Sequence, residues 1–205
     1  MKKVLKASLL VIGLAGFLLP ATGFSFSGKK VDKMAEHMGT LPDGPKMTED
    51  DIKKAQKMWG DAVVAIGEAK NPTEVAKKAA KSAYAFEMGP IMFKPTLTHG
   101  DTTFRPDIEG TLSYFVSGNA KYSGDKGFAL KPWTNVRFDN NNILIFGNKA
   151  LAMGHYFFTD KATGKETKVE YTKGYVKTND GRVLLFLQDS SLPYTPPQAQ
   201  NVTAK

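Results

Sequence analysis

A chain of 205 residues with a formal net charge of +8 and no cysteine excludes disulfide scaffolds, thiol nucleophiles and every cysteine-ligated metal site. Its length suits one domain whose core is large enough to hold it together. The positive excess is spread along the chain among Asp and Glu, without the basic stripe that tracks a phosphate backbone, so no nucleic-acid partner is expected.

Met1 to about Ser27 has the three parts of a cleavable secretory leader. Lys2, Lys3 and Lys6 are its positive start, Ala7 to Leu19 its apolar run, and Ala21, Gly23 and Ser25 offer the small residues of a cleavage site. Thirteen apolar residues fall short of the ~20 that a bilayer-crossing helix needs. The expectation is a periplasmic or secreted protein with no stable membrane anchor after cleavage, and an uncleaved anchor is the alternative. Losing three lysines leaves the mature chain at about +5. Residues 28–46 read as a linker or loose N-terminal arm, 47–195 as the folded domain and 196–205 as a polar tail.

Within the domain helical signals come first. Thr48 and Asp51 have capping-box spacing, and Ile52, Ala55, Trp59, Val63 and Ile66 follow on one helical face. Asn71-Pro72-Thr73-Glu74 opens a second helix with the stripe Val75, Ala79, Ala83 and Phe86, stopped by Gly89-Pro90. Residues 91–98 read as extended, and a short third helix is expected from about Pro106 to Val116 with Leu112 and Phe115 inward. The period then changes to two. Strands are expected at 128–138, 143–146, 151–158, 168–177 and 182–188, separated by Asn140-Asn141-Asn142, Gly147-Asn148, Asp160 to Gly164 and Asn179-Asp180-Gly181. Helices followed by a meander of long strands give an α+β fold, with the N-terminal helices packed on a strongly curved antiparallel sheet.

That order of elements resembles the nuclear-transport-factor-2-like, or SnoaL-like, superfamily, a cone of bent sheet closed by helices. Within it the chain is similar to bacterial exported relatives of the association domain of calcium/calmodulin-dependent protein kinase II. Phe93-Lys94-Pro95-Thr96, Ser113-Tyr114-Phe115, Gly127 to Trp133, Ala150 to Gly154, Val169 to Thr172 and Asp189 to Tyr194 carry the likeness. The resemblance implies histidines just before the terminal Ser-Ser, where this chain has Gln188-Asp189, and an aromatic near Lys173. It does not imply one activity, because the fold hosts many.

Strand alternation puts Leu151, Met153, His155 and Phe157 on one face and Ala152, Gly154, Tyr156 and Phe158 on the other. His155 could act as acid or base, or sit at a sheet surface or subunit interface. Glu170 and Asp189 are candidate proton acceptors, with outward ion-paired carboxylates as the plainer reading. Arg105 could grip a carboxylate with its fork or close a loop through an ion pair, and Lys94 flanks the same extended segment. Tyr114, Tyr156, Tyr171 and Gln188 complete the set of candidate ligand contacts. His37, His99 and His155 are too scattered to suggest a metal site, and no cofactor is expected.

The expectation is an exported ligand-binding or oligomer-forming domain with no assigned catalysis. Its partners would be a small carboxylate-bearing ligand and further copies of itself, as a dimer or larger. The alternative is an isomerase or lyase using Glu170 or Asp189 with His155 or a tyrosine. A purely structural domain would instead fill its cavity with Phe and Met side chains.

Overall fold

A computed structural model describes residues 44–196. The expected leader, most of the arm and the tail after Pro196 lie outside the described residues. Helix α1 spans Glu49–Glu68, α2 Pro72–Ala83 and α3 Ile108–Val116. The strands are β1 Met92–Lys94, β2 Trp133–Phe146, β3 Lys149–Asp160, β4 Glu166–Lys177 and β5 Val183–Ser191. They form one sheet in the order β1-β5-β4-β3-β2. Its long neighbours are antiparallel, but β1 joins β5 in parallel, so the sheet is mixed where a wholly antiparallel one was expected. The chain reaches β1 before the meander begins and lies along its last strand.

The helices start as their sequences dictate. The Thr48 side chain accepts from the Asp51 N–H at 3.2 Å while the Asp51 carboxylate accepts from the Thr48 N–H at 2.9 Å, closing a capping box. Lys177 Nζ lies 2.7 Å from the same carboxylate and, as the leading cause, holds it below the usual carboxylate range. The start of α1 is thereby tied to the end of β4. Asn71 caps α2 and Asp107 caps α3. Helix α2 stops at Ala83, ahead of Gly89-Pro90, because the extended backbone at Tyr84 pairs with Leu185 on β5. Phe86 therefore lies in the short 3₁₀ turn that follows.

Trp59 of α1 is the hub of the core. Its ring centroid lies 5.7 to 6.3 Å from those of Phe115, Phe138, Tyr156 and Phe158, and its indole N–H donates to Tyr84 Oη at 3.0 Å. Each such ring pair adds about 0.5–1.5 kcal/mol beyond area burial, and deleting a ring of this kind costs roughly 3–5 kcal/mol. The helices cover the face that carries Tyr156, Phe158, Val169, Tyr171, Lys173 and Gln188, all buried. The opposite face carries Met153, Glu170 and Asp189, all exposed.

The run Asn140-Asn141-Asn142 breaks no strand. Strand β2 continues through it to Phe146, and the extra residue is taken up as a register shift against β3 between Asn140 and Asn142. Such a bulge bends the strand. Three hydrogen bonds, to Gln56 and Tyr171, hold it. Asn140 Oδ1 accepts from Gln56 Nε2 at 2.8 Å and from Tyr171 Oη at 2.5 Å, while its amide donates to Gln56 Oε1 at 2.9 Å. Opposite the bulge, Gly154 leaves room for the backbone: a Cβ there would lie 2.2 Å from the Asp139 carbonyl oxygen and 2.8 Å from the Asn141 nitrogen. Gly154→Ala should therefore lower stability by about 1–3 kcal/mol, read from urea unfolding. An unchanged midpoint would show that the bulge relaxes freely.

Candidate active site

An apolar cavity of about 560 Å³ opens between the sheet, α3 and the loop after it. Phe128, Leu130, Trp133, Val169 and Leu192 form its walls, and Thr96 and Tyr114 bring hydroxyls to it. Local sequence explains these positions. Lys94-Pro95-Thr96 leaves the sheet after β1 because proline fixes its φ and donates no N–H, so Thr96 turns inward. Tyr114 rides on α3, one residue before Phe115, which packs on Trp59 at 6.2 Å. Its ring stacks on Phe128, centroid to centroid 5.4 Å.

Thr96 and Tyr114 line the cavity, and a buried pair of hydroxyls lies behind Thr96. Tyr156 Oη and Ser190 Oγ are 2.5 Å apart and both residues are buried. Thr96 stands close enough to stabilise a phenolate at either Tyr156 or Tyr114. The Tyr114 hydroxyl is buried and makes no hydrogen bond of full geometry, though the Thr96 side chain and the Thr96 and Leu97 backbone lie near it. A buried hydroxyl short of a full hydrogen bond costs up to about 1–3 kcal/mol, a debt that a ligand oxygen would cancel. Burial holds these phenols neutral: Tyr156 is pushed up to about 12, with Ser190 the strongest opposing influence. Tyr114 is pushed up as well, again by burial. Both act as hydrogen-bond donors and proton relays over the physiological range, not as standing bases.

Gln188 backs the cluster by accepting from Tyr84 Oη at 2.8 Å. Tyr171 is buried, but its hydroxyl is committed to Asn140 and does not line this cavity. Arg105 is 2 % exposed, lies 2.9 Å from Asp125 and stacks over Tyr122, 4.1 Å from the ring centroid. Asp125 also accepts from Ser113 Oγ at 2.7 Å. Of the two readings of Arg105, the structure places it in an ion pair that closes the loop after α3. Lys94 reaches the Ser190 carbonyl at 2.5 Å and the Asp189 carboxylate at 3.2 Å.

The three candidate acid–base residues are together, but elsewhere. His155, Glu170 and Asp189 line a separate groove of about 330 Å³ with Met153, Tyr171, Thr172, Ser190 and Ser191, so Ser190 lies between this groove and the buried hydroxyls. The register explains why: His155 is the partner of Glu170 and Thr172 of Asp189, all on the face away from the helices. The hydroxyls at Thr96 and Ser190 were not singled out from the sequence. Ser190 could have been, since it lies two residues from Gln188 on β5 and so shares its inward face.

A sequence profile for the family "Metal-independent carbonic anhydrase" matches residues 50–192. The chain belongs to this family. A metal-independent carbonic anhydrase from Nostoc sp. strain PCC 7120 is 37% identical over 194 residues, covering 92% of this chain and 93% of the relative. The crystal structure of an iota-carbonic anhydrase from a cyanobacterium, complexed with bicarbonate, superposes with a TM-score of 0.72 at 40% identity. That alignment covers 75% of this chain and 96% of the other. A nuclear transport factor 2-like superfamily protein from Salmonella enterica aligns at a TM-score of 0.37 and 11% identity over 73% of this chain and 99% of its own, too remote to bear on chemistry.

For this member of the carbonic anhydrase family, the expected α+β fold of helices packed on a curved sheet stands. The family matched is this one, where the sequence had suggested relatives of the kinase association domain. The expectation of a binding or assembly domain with no assigned catalysis is overturned, since the family is one of enzymes.

Lys173 is the other unusual group of this carbonic anhydrase family member. Its side chain is fully buried and Nζ has no hydrogen-bond partner. It sits 3.6 Å above the Trp59 ring centroid, with the Phe138, Tyr156 and Tyr171 centroids at 4.8, 5.3 and 5.9 Å. Aromatic faces return about 2 kcal/mol to a desolvated ammonium, whereas burying an ion costs several kcal/mol. Desolvation wins and lowers the amine well below its ordinary value of 10.5. Between the lowered native value and 10.5 the unfolded chain binds more protons than the native one, so native stability rises with pH across that window and the penalty disappears near 10.5. Lys173→Met should therefore be more stable than wild type at pH 7, with the gap closing by up to ~1.4 kcal/mol per pH unit toward pH 10.5. Denaturant melts at pH 7, 8.5 and 10 check this, and a gap independent of pH refutes it.

Proposed function

We propose that this chain interconverts carbon dioxide and bicarbonate at the Thr96, Tyr114, Tyr156 and Ser190 hydroxyls. The observation that carries the reading is the buried Tyr114 hydroxyl, with no hydrogen bond of full geometry, beside Thr96 in an apolar cavity, in a chain 40% identical to a relative crystallised with bicarbonate. Three or four convergent donors suit a planar anion with three oxygens. Apolar walls suit uncharged carbon dioxide and limit bulk water. Neutral alcohol and phenol oxygens are poor ligands for zinc, which takes imidazole, thiolate and carboxylate, so the donor set agrees with a metal-independent reaction.

In the hydration direction a water oxygen attacks the carbon and one C=O electron pair moves onto oxygen. Tyr114 and Thr96 donate to the oxygen that gains charge, the role of an oxyanion hole. The attacking water surrenders a proton. The Tyr156–Ser190 pair can accept it on one oxygen while releasing its own from the other, which moves a proton without ionising a phenol that is pushed up to about 12. The family match favours the lyase-type alternative over a domain without catalysis; of the residues named for it, a tyrosine lines this cavity, while Glu170, Asp189 and His155 line the other groove.

Loss of one preorganised donor typically costs 10²–10³-fold in rate. Thr96→Ala and Ser190→Ala should each reduce ¹⁸O exchange between carbon dioxide and water by about that factor. Tyr114→Phe should fall with them, and activity should survive chelator treatment. A fully active Thr96→Ala, Ser190→Ala or Tyr114→Phe protein would sink the assignment. Self-association belongs to the same proposal: Leu144 and Met153, 56% and 54% exposed, lie on the outer face of neighbouring strands. Native mass spectrometry should find a dimer or larger, and a mass of one chain would remove this part.

A further inference from the structure

The cavity is too large for its proposed substrate. Bicarbonate has four heavy atoms and needs on the order of 100 Å³, given that a water molecule takes ≈ 30 Å³ in the liquid. The cavity holds about 560 Å³, in the range that encloses ligands many times larger. The surplus is mostly apolar. Thr96 and Tyr114 supply hydroxyls, while Leu97, Phe128, Leu130, Trp133 and Leu192 wall the remainder.

The apolar wall continues into solvent. Leu97, Leu130 and Leu192 are 59%, 38% and 52% exposed, and all three line the same cavity. Two cations share that lining, Lys126 and Lys131. Lys131 lies 3.2 Å from Asp160 and 4.3 Å from the Trp133 ring centroid. The carboxylate in the lining, Asp125, is bound by Arg105 at 2.9 Å and by Ser113 at 2.7 Å, so its charge is compensated within the wall. An anion with an apolar body matches such a chamber: hydroxyls deep, hydrocarbon outward, positive charge nearby.

We propose that the cavity also binds straight-chain monocarboxylates of about six carbons. The carboxylate takes the place of bicarbonate at Thr96 and Tyr114, and the chain lies along Phe128, Leu130 and Leu192. Placing the carboxylate rests on the reading above. An alkanoate presents the same planar CO₂⁻ group as bicarbonate, with an alkyl chain where bicarbonate has its hydroxyl. Such acids would compete with bicarbonate and make the enzyme sensitive to medium-chain acids.

The test is calorimetric titration of the wild-type protein with acetate, butyrate, hexanoate and octanoate, and with 1-hexanol as a chain without the charge. Each added methylene should tighten binding about two- to fourfold up to hexanoate, the upper figure matching ≈ 0.8 kcal/mol per buried CH₂. Hexanol should bind at least tenfold more weakly than hexanoate, and bicarbonate should displace hexanoate. Leu192→Ser and Leu130→Ser, neutral changes at exposed positions that do not hold the core, should flatten the chain-length series and affect acetate least. A flat wild-type series, equal binding of hexanol, or hexanoate that bicarbonate cannot displace would each overturn the proposal. ¹⁸O exchange on the same preparation separates the two readings. An active protein with a flat series sinks this inference alone, and an inactive protein with a steep series sinks the carbonic anhydrase assignment alone.

Discussion

One indole ring organises this domain. Trp59 projects from α1 into the concave face of the sheet, touches rings from α3, β2 and β3, and donates to Tyr84 at the end of α2. Tyr84 passes the hydrogen bond on to Gln188 of β5. A helix can dock this closely only on a bent sheet, and the bend is supplied at Asn140. The side chain of Gln56, three residues before Trp59 on the same helix, holds that bulge in place. Helix docking and sheet curvature are therefore coupled through one stretch of α1, and the cavity depends on both.

The consequence is a sharp division of chemistry between the two faces of the sheet. Against the inward face lie the phenols of Tyr84, Tyr114 and Tyr156, which burial keeps neutral, and the amine of Lys173, which burial lowers well below its ordinary value. The outward face gathers Glu170, Asp189 and His155 around a solvent-open groove. The apparently better acid–base residues therefore face the other groove, and weakly acidic hydroxyls line the apolar cavity. For the proposed interconversion of carbon dioxide and bicarbonate, fixed donors would stabilise the developing charge and a hydroxyl relay would move the proton.

Lys173 shows how far aromatic packing dictates its surroundings. The resemblance implied an aromatic near this position, and the lysine occupies a box of aromatic faces as one more hydrophobic filler. Its amine has neither carboxylate nor carbonyl to meet it. Arg105 is a buried cation with the opposite solution, a carboxylate at 2.9 Å and a ring beneath it.

Much of the fold was legible because it rests on short-range rules. The capping box at Thr48, the Asn71-Pro72 start of α2 and the period-two strands depend on neighbours within a few residues. Three features were not legible, and each depends on contacts distant in sequence. The asparagine run reads locally as a turn, but Gln56 and Tyr171 convert it into a bulge. The parallel partner of β1 lies some ninety residues away in β5. Alternation grouped His155 with Met153 and Tyr156 with Gly154, yet it could not say which group faced the helices, because both faces mix polar and apolar residues. The sequence by itself therefore determined the elements, their order and the sets of side chains that share a face. The tertiary structure decided which set is enclosed, because enclosure follows from where Trp59 docks, and with it which hydroxyls become a site.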